Sequence, residues 1–310
     1  MYEIILKFGF SLAVLLFSTH KLVGLAKKIS SVFRISPLIV GMTVVAIGTS
    51  LPELAVSLVA ILRHDTGLAI GNIIGSNIIN ILLVFPVGLL IGKLRIGRFK
   101  TQRNAIILII ATGAFYISQT VGVVKSLSGP LLLSLAVLTS IAEYKFAIFG
   151  RDHEDAKQFK QKVNGTLGIG TLLFGLLLTV GIVIGSIFIV DAIEEISLIT
   201  GISTTILGLT LTAFATSLPE LLTTIFSQGE KQEKITLGNI LGSNIYNLLL
   251  VGGIILLFSP GFMIPQYEWL WLGGTTAGLV GVIRYYKGQK PPRSVGIVFF
   301  VLLCVYLLSL

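Results

Sequence analysis

Two glutamates, Glu53 and Glu220, stand inside apolar stretches of the chain, each directly after a proline, Pro52 or Pro219. Ala46, Thr49, Ser50 and Glu53 lie at relative positions 0, 3, 4 and 7, a spacing that puts them on one helix face. Ala213, Thr216, Ser217 and Glu220 repeat it. Asn72, Ser76 and Asn80 follow one another four residues apart, as do Asn239, Ser243 and Asn247. Four polar stripes can therefore converge. They offer carboxylate, hydroxyl, amide and backbone oxygens, with no His or Cys. An all-oxygen set suits hard cations such as Ca2+ and Na+ and fits Zn2+ or Cu+ poorly. Mg2+ suits it less well, because Mg2+ sheds its waters reluctantly. Two carboxylates carry a formal charge of −2, which one divalent ion neutralises and two or more Na+ can replace.

The prolines add to this set. Proline has no N–H, so the carbonyl four residues earlier, on Gly48 or Ala215, loses its helical partner. Broken membrane helices use such opened turns as cation ligands. The carbonyls of Ala46 and Ala213 lie close enough to contribute. Ser76, Asn80, Ser243 and Asn247 read as ligands. Asn72, Asn77, Asn239 and Asn244 read as hydrogen-bonding links between helices. Gly71 and Gly75, like Gly238 and Gly242, form the small-xxx-small pattern of close helix packing.

The elements that position these residues are membrane helices. Of 310 residues, 54% are hydrophobic and 12% charged, against about 25% charged in a soluble domain. Mean hydropathy is +0.95. Apolar windows long enough to span a bilayer occur at about 3–24, 36–61, 68–92, 102–120, 127–149, 167–190, 203–226, 235–258, 267–285 and 293–309. The first lacks the basic start and small-residue cleavage site of a signal peptide. Alternating ten-residue strands are absent, which excludes a membrane barrel. The single cysteine, Cys304, excludes an internal disulfide and a cysteine metal cluster, and reads as an inert apolar residue.

One unit is used twice. Residues 41–57 read GMTVVAIGTSLPELAVS and 208–224 read GLTLTAFATSLPELLTT; 71–82 read GNIIGSNIINIL and 238–249 read GNILGSNIYNLL. Both pairs share an offset of 167 residues, and 41–82 matches 208–249 at 18 of 42 positions without a gap, far above chance. Each copy holds five spans. An odd number inverts the second copy, the build of many secondary transporters, whose site lies near the midplane between repeats. The expected division is 1–150 for the first repeat, 151–166 for a cytoplasmic linker and 167–310 for the second. Within the linker, Asp152, Glu154 and Asp155 lack the Gly-containing loop of a calcium site, and a solvated linker is the simpler reading.

The net charge of +9 has a membrane explanation. With the N-terminus outside, 19 of 23 Lys and Arg fall on the cytoplasmic side, the positive-inside bias. No nucleic-acid partner is implied, and both termini are expected outside. Asp191, Glu194 and Glu195 read as a solvated cap on the outer end of span 6. Glu143 is expected to pair with an interfacial base such as Lys145, and Lys21 to snorkel toward water.

With these motifs in register, the chain is identified as a microbial member of the sodium/calcium exchanger family, within the wider calcium/cation antiporter group. The paired GTSLPE or ATSLPE and GN-x-x-GSN segments resemble its α-repeats. The resemblance implies two inverted five-helix repeats, with spans 2, 3, 7 and 8 enclosing the site and long spans 1 and 6 sliding against them. It implies Glu53 and Glu220 as central calcium ligands, with Thr49 and Thr216 adding contacts. Ala46, Ser50, Ser76, Ala213, Ser217 and Ser243 match positions lining the sodium sites, and Asn80 and Asn247 the remaining polar pair. Asn247 replaces the Asp of some potassium-dependent relatives, which argues against potassium co-transport. Ala215 stands where the first repeat has Gly48, and His20 and Lys21 stand where relatives often carry acidic or small residues.

The expectation is a cell-membrane Na+/Ca2+ antiporter working by alternating access as a monomer, with Ca2+ and Na+ as transported ions and no cofactor. The alternative on the same fold is Ca2+/H+ or another divalent cation/proton exchange. An intramembrane enzyme would need a nucleophile with its base or a metal dyad. The spans hold no H-E-x-x-H motif and no pair of aspartates. A passive channel would conduct without a counter-ion gradient.

Overall fold

A computed structural model describes residues 2–32, 46–91, 94–97, 99–120, 126–149, 169–229, 233–259 and 265–310. The expected linker 151–166, with Asp152, Glu154 and Asp155, lies outside the described residues, as do 41–45 of the first motif. The described residues form ten spans and no strand. They are α1 (Tyr2–Val32), α2a (Ala46–Thr49) with α2b (Leu51–Leu62), and α3 (Thr66–Ile79, Asn80–Val84, Phe85–Ile91). Next come α4 (Lys100–Thr120), α5 (Ser128–Phe149) and α6 (Ile169–Thr200). The second motif region holds α7a (Thr204–Leu207, Gly208–Thr212, Ala213–Thr216) with α7b (Leu218–Gly229), and α8 (Glu233–Tyr246, Asn247–Val251, Gly252–Phe258). The chain ends with α9 (Gln266–Tyr285) and α10 (Arg293–Ser309). The architecture is an all-α integral membrane fold of ten helices in two inverted five-helix repeats.

By length and composition alone, five stretches among the described residues are apolar enough to cross a membrane: Tyr2–Leu22, Thr66–Ile91, Ile169–Thr200, Thr204–Ile225 and Thr236–Phe258. Polar residues explain why α4 and α9 fall short. Gln102, Asn104 and Gln119 on α4 and Glu268 on α9 are all buried, so the bundle interior shields them from lipid.

α1 and α6 are the longest helices among the described residues. At 31 and 32 residues they extend roughly 46–48 Å, well beyond a ~30 Å hydrocarbon core. They pack antiparallel along their lengths. Gly181 lies against Ser18, Gly185 against Ser11 and Leu15, and Gly175 against Leu25. Asp191, Glu194 and Glu195, expected as a solvated cap, lie inside α6, which runs on to Thr200. They hold ion pairs instead. Glu195 meets Lys7 of α1 at 2.5 Å, while Asp191 and Glu194 meet Arg63 at the end of α2b. Hydrogen bonding to Asp191 raises the Arg63 pKa, against a smaller opposing effect of desolvation. At the opposite face the α3–α4 and α9–α10 connections meet: Ile96 N–H donates to the Gln289 carbonyl at 2.9 Å, and Gly288 N–H to that of Ile96 at 3.0 Å. Loops assigned to one side by charge thus contact each other.

Glu143 does not pair with Lys145. Residues two apart point to different sides of a helix. Its partner is Arg103 on α4, at 2.8 Å. Cys304 is exposed on the outward face of α10. Lys21 extends over the Phe17 ring, 5.6 Å from its centroid.

The core crosses the repeats. α3 packs on α7a, and α8 packs on α2a. Glycines make the first contact possible. A Cβ on Gly71 would sit 2.5 Å from the Thr205 carbonyl oxygen, one on Gly75 2.5 Å from that of Leu209, and one on Gly208 2.8 Å from that of Leu68. The obstructing atoms are backbone and cannot step aside. Gly75→Val is therefore expected to destabilise the protein by about 1–3 kcal/mol or more. Gly113→Ala, whose Cβ meets nothing within 4 Å, is expected to be neutral or slightly stabilising. Thermal unfolding of both variants in detergent checks the contrast; equal melting of Gly75→Val and wild type would refute backbone contact.

Candidate ion-binding site

Spans 2 and 7 break at matching serines. Ser50 adopts φ −84° and ψ 5°, and Ser217 φ −80° and ψ 2°, the bridge region between helix and strand. Beyond each break a new helix begins with Leu-Pro-Glu. Proline is tolerated there because a first-turn N–H has no helical partner to lose. Glu53 and Glu220 thus occupy the first turns of α2b and α7b, where the helix dipole favours negative charge. Leu54 N–H donates to the Ser50 carbonyl and Leu221 N–H to the Ser217 carbonyl, both at 3.1 Å.

Spans 3 and 8 deform instead of breaking. Each carries a π-helical turn, Asn80–Val84 or Asn247–Val251, that opens on its asparagine. A third, Gly208–Thr212, ends just before Ala213. Such turns insert an extra residue and re-aim the side chains around them. Nothing in the sequence reading anticipated them.

The polar residues meet across the repeats in a matched pattern. Thr216 Oγ1 donates to Asn72 Oδ1 at 3.1 Å and shares a hydrogen bond with Ser76 Oγ at 3.3 Å. Thr49 Oγ1 donates to Asn239 Oδ1 at 3.3 Å and shares one with Ser243 Oγ at 3.1 Å. Ser217 Oγ donates to Glu53 Oε1 at 3.4 Å. Asn80 Nδ2 donates to Asn244 Oδ1 at 3.0 Å, which leaves Asn80 Oδ1 as an acceptor. Thr49, Ser50, Glu53, Ser76, Asn80, Ala213, Thr216, Ser217, Glu220, Ser243 and Asn247 are all buried. Ala46 begins α2a. The Ala213 carbonyl already accepts from Ser217 N–H at 3.0 Å.

Of the asparagines expected to link helices, Asn72, Asn239 and Asn244 do so, whereas the Asn77 side chain donates to the Ile73 carbonyl of its own helix at 2.8 Å. Asn72 Nδ2 donates to the Glu53 carbonyl at 3.3 Å and to Ser57 Oγ at 3.0 Å. Asn244 Nδ2 donates to the Asn77 carbonyl at 3.3 Å. Ser57 was missed, although it lies four residues after Glu53 and extends the same stripe. Thr212, buried four residues before Thr216, was missed for the same reason.

Among the described residues no ion pair reaches either central carboxylate. Glu53 Oε2, both carboxylate oxygens of Glu220, Ser50 Oγ, Asn80 Oδ1 and Asn247 Oδ1 are buried without hydrogen-bond partners there. The Thr49 and Ser243 hydroxyls stand beside Glu220. Among the described residues no group of three or more His, Cys, Asp or Glu is arranged to hold a metal ion. The formal charge of this buried cluster is thus that of two carboxylates, and the rest is neutral oxygen.

The sodium/calcium exchanger protein family profile matches residues 4–144 and 169–310. The chain belongs to the sodium/calcium exchanger family. It is 32% identical to the inner membrane protein YrbG of Escherichia coli (strain K12), over 92% of this chain and 90% of that one. It is 30% identical to the sodium/calcium exchanger MaX1 of Methanosarcina acetivorans, over 76% and 77%. The sodium-calcium exchanger NCX_Mj, soaked with 2.5 mM Na+ and 0.1 mM Ca2+, superposes with a TM-score of 0.68 at 28% identity, over 99% of this chain and 98% of that one. As a member of this exchanger family the chain is a multi-pass membrane cation antiporter, and the family's work is transport, not catalysis.

The Thr216–Asn72 bond joins the two repeats, which makes its energy measurable. Asn72→Ala and Thr216→Val are each expected to destabilise by about 1–3 kcal/mol. The double variant should lose less than the sum, with coupling of about 0.5–3 kcal/mol. Unfolding measurements on the four proteins check it; strict additivity would mean the two side chains do not interact.

Proposed function

We propose that the protein exchanges Na+ for Ca2+ by alternating access at a central site built on Glu53 and Glu220. The observation that carries this reading is the set of buried oxygens without hydrogen-bond donors around two carboxylates without cationic partners. Burying such atoms is costly unless something satisfies them, and a transported cation does so. Ca2+ takes six to eight oxygens, carboxylate, carbonyl and amide alike. Glu53, Glu220, Thr49 and Thr216 form the inner ring of this reading. Ser50, Ser217, Ser76, Ser243, Asn80, Asn247 and the Ala46 and Ala213 carbonyls complete the oxygen set for Na+ and Ca2+. The ions are cargo, and no resident cofactor enters the reading.

Charge explains the coupling. One Ca2+ or at least two Na+ neutralise the pair, so the two cargoes compete. A site loaded with either is easier to reorient through a low-dielectric barrier than a site carrying −2, and differential binding to the two states supplies the coupling. We read 1–150 and 167–310 as the two moving halves of a monomer, joined by 151–166.

Reconstitution tests this. Ca2+ uptake into proteoliposomes should follow an outward Na+ gradient, and Glu53→Gln or Glu220→Gln should abolish it. Uptake driven equally by a pH gradient without Na+ would replace Na+ with H+ as the driver. Full exchange by either Gln variant would sink the two-glutamate site. Both termini are read as outside. Alkaline phosphatase fused to the C-terminus should be active in a bacterial host, and an inactive fusion with a fluorescent C-terminal reporter would reverse that assignment.

A further inference from the structure

Glu143 is a buried carboxylate that the ion site does not use. It stands near the end of α5 and is 6% exposed. Its Oε1 accepts from Arg103 Nε at 3.1 Å and Nη2 at 2.8 Å. Its Oε2 has no hydrogen-bond partner among the described residues. Asn104, next to Arg103 on α4, is 7% exposed, and its Oδ1 is in the same position. Both side chains line one cavity of about 20 Å3. That volume holds a single water, which needs roughly 10–15 Å3 and two to four polar partners. Such a water can donate one proton to Glu143 Oε2 and the other to Asn104 Oδ1. A cation suits the place poorly, because Arg103 already neutralises Glu143 and Lys100 lines the same cavity.

The wall facing Glu143 and Asn104 is α8, through Gly238, Gly242 and Tyr246. A Cβ on Gly238 would meet nothing within 4 Å, so the missing side chain makes room for the cavity. Tyr246 also shares a hydrogen bond with Ser140 of α5 at 3.0 Å. Each of these wall residues immediately precedes one residue of the ion-site stripe: Asn239, Ser243 and Asn247. The two sets lie on adjacent faces of one helix, about 100° apart. A shift of α8 in this seat moves the site oxygens with it.

We propose that Arg103, Asn104 and Glu143, with one bound water, form a seat that sets the position of α8, and that Glu143 is a positioning residue for ion binding. The inference rests on the reading of α8 as an ion-site helix. In proteoliposomes carrying the full chain, Glu143→Gln keeps the side chain's shape and weakens its hold on Arg103. Its Ca2+ KM is expected to rise at least roughly threefold, with maximal rate per folded protein little changed. A purely structural role would lower the amount of folded protein and leave KM alone. Exchanging the charges, Arg103→Glu with Glu143→Arg, should bring KM back toward wild type. An unchanged KM in well-folded Glu143→Gln overturns the proposal.

Hydrogen exchange of the α8 amides gives a readout independent of the transported ion. Exchange over residues 238–246 should speed up in Glu143→Gln, and equal exchange overturns the seat. A wild type that moves no Ca2+ would defeat the functional reading, while the exchange result still decides the seat. A high-resolution experimental structure should show solvent density within roughly 3.2 Å of Glu143 Oε2 and Asn104 Oδ1. Its absence overturns the water.

Discussion

A carboxylate held in the hydrocarbon layer costs at least about 2.5–3.5 kcal/mol on insertion scales, and this chain holds two in one buried cluster. Most of the central architecture answers that cost. The helices break at Ser50 and Ser217, so each glutamate lies in the first turn of a new helix, at the positive end of its dipole. Ser217 Oγ stands against Glu53, and the Thr49 and Ser243 hydroxyls stand beside Glu220. No lysine or arginine is brought in among the described residues. A fixed cation would cancel the charge permanently and compete with any ion passing through.

The surrounding network belongs to neither repeat alone. Thr216 of the second repeat bonds Asn72 and Ser76 of the first, and Thr49 of the first bonds Asn239 and Ser243 of the second. The helices must come very close for these short side chains to reach. Gly71, Gly75 and Gly208 permit it, with α3 and α7a touching backbone to backbone. In a bilayer there is little hydrophobic drive to bring helices together, so packing and interhelical hydrogen bonds must do it. The same residues therefore hold the fold and shape the cluster.

The fold was readable because its signals are long and repeated. Ten apolar windows and an exact 167-residue offset point to one topology, and each described span overlaps its window. The polar stripes were readable because four-residue spacing survives in any helix. Features set by tertiary contact were not. Pro52 and Pro219 mark disturbed turns, but the breaks fall two residues earlier, at the serines. The π-turns at Asn80 and Asn247 leave no mark in composition. Glu143 was matched with Lys145 because the two are near in sequence, whereas its partner Arg103 comes from another helix. The acids on α6 looked like a solvated end because the partners that fix them, Lys7 and Arg63, lie on two other spans.

The hydrogen bond from Ser217 to Glu53 also has a meaning for how the chain is made. Its two residues are 164 positions apart, in different repeats. At about 5–20 residues per second, Glu53 is synthesised roughly 8–33 s before Ser217. During that interval the first half carries an acidic side chain in lipid with its cross-repeat partners not yet synthesised. The delay between the two halves, set by the repeat spacing itself, is thus a selectable property of the sequence.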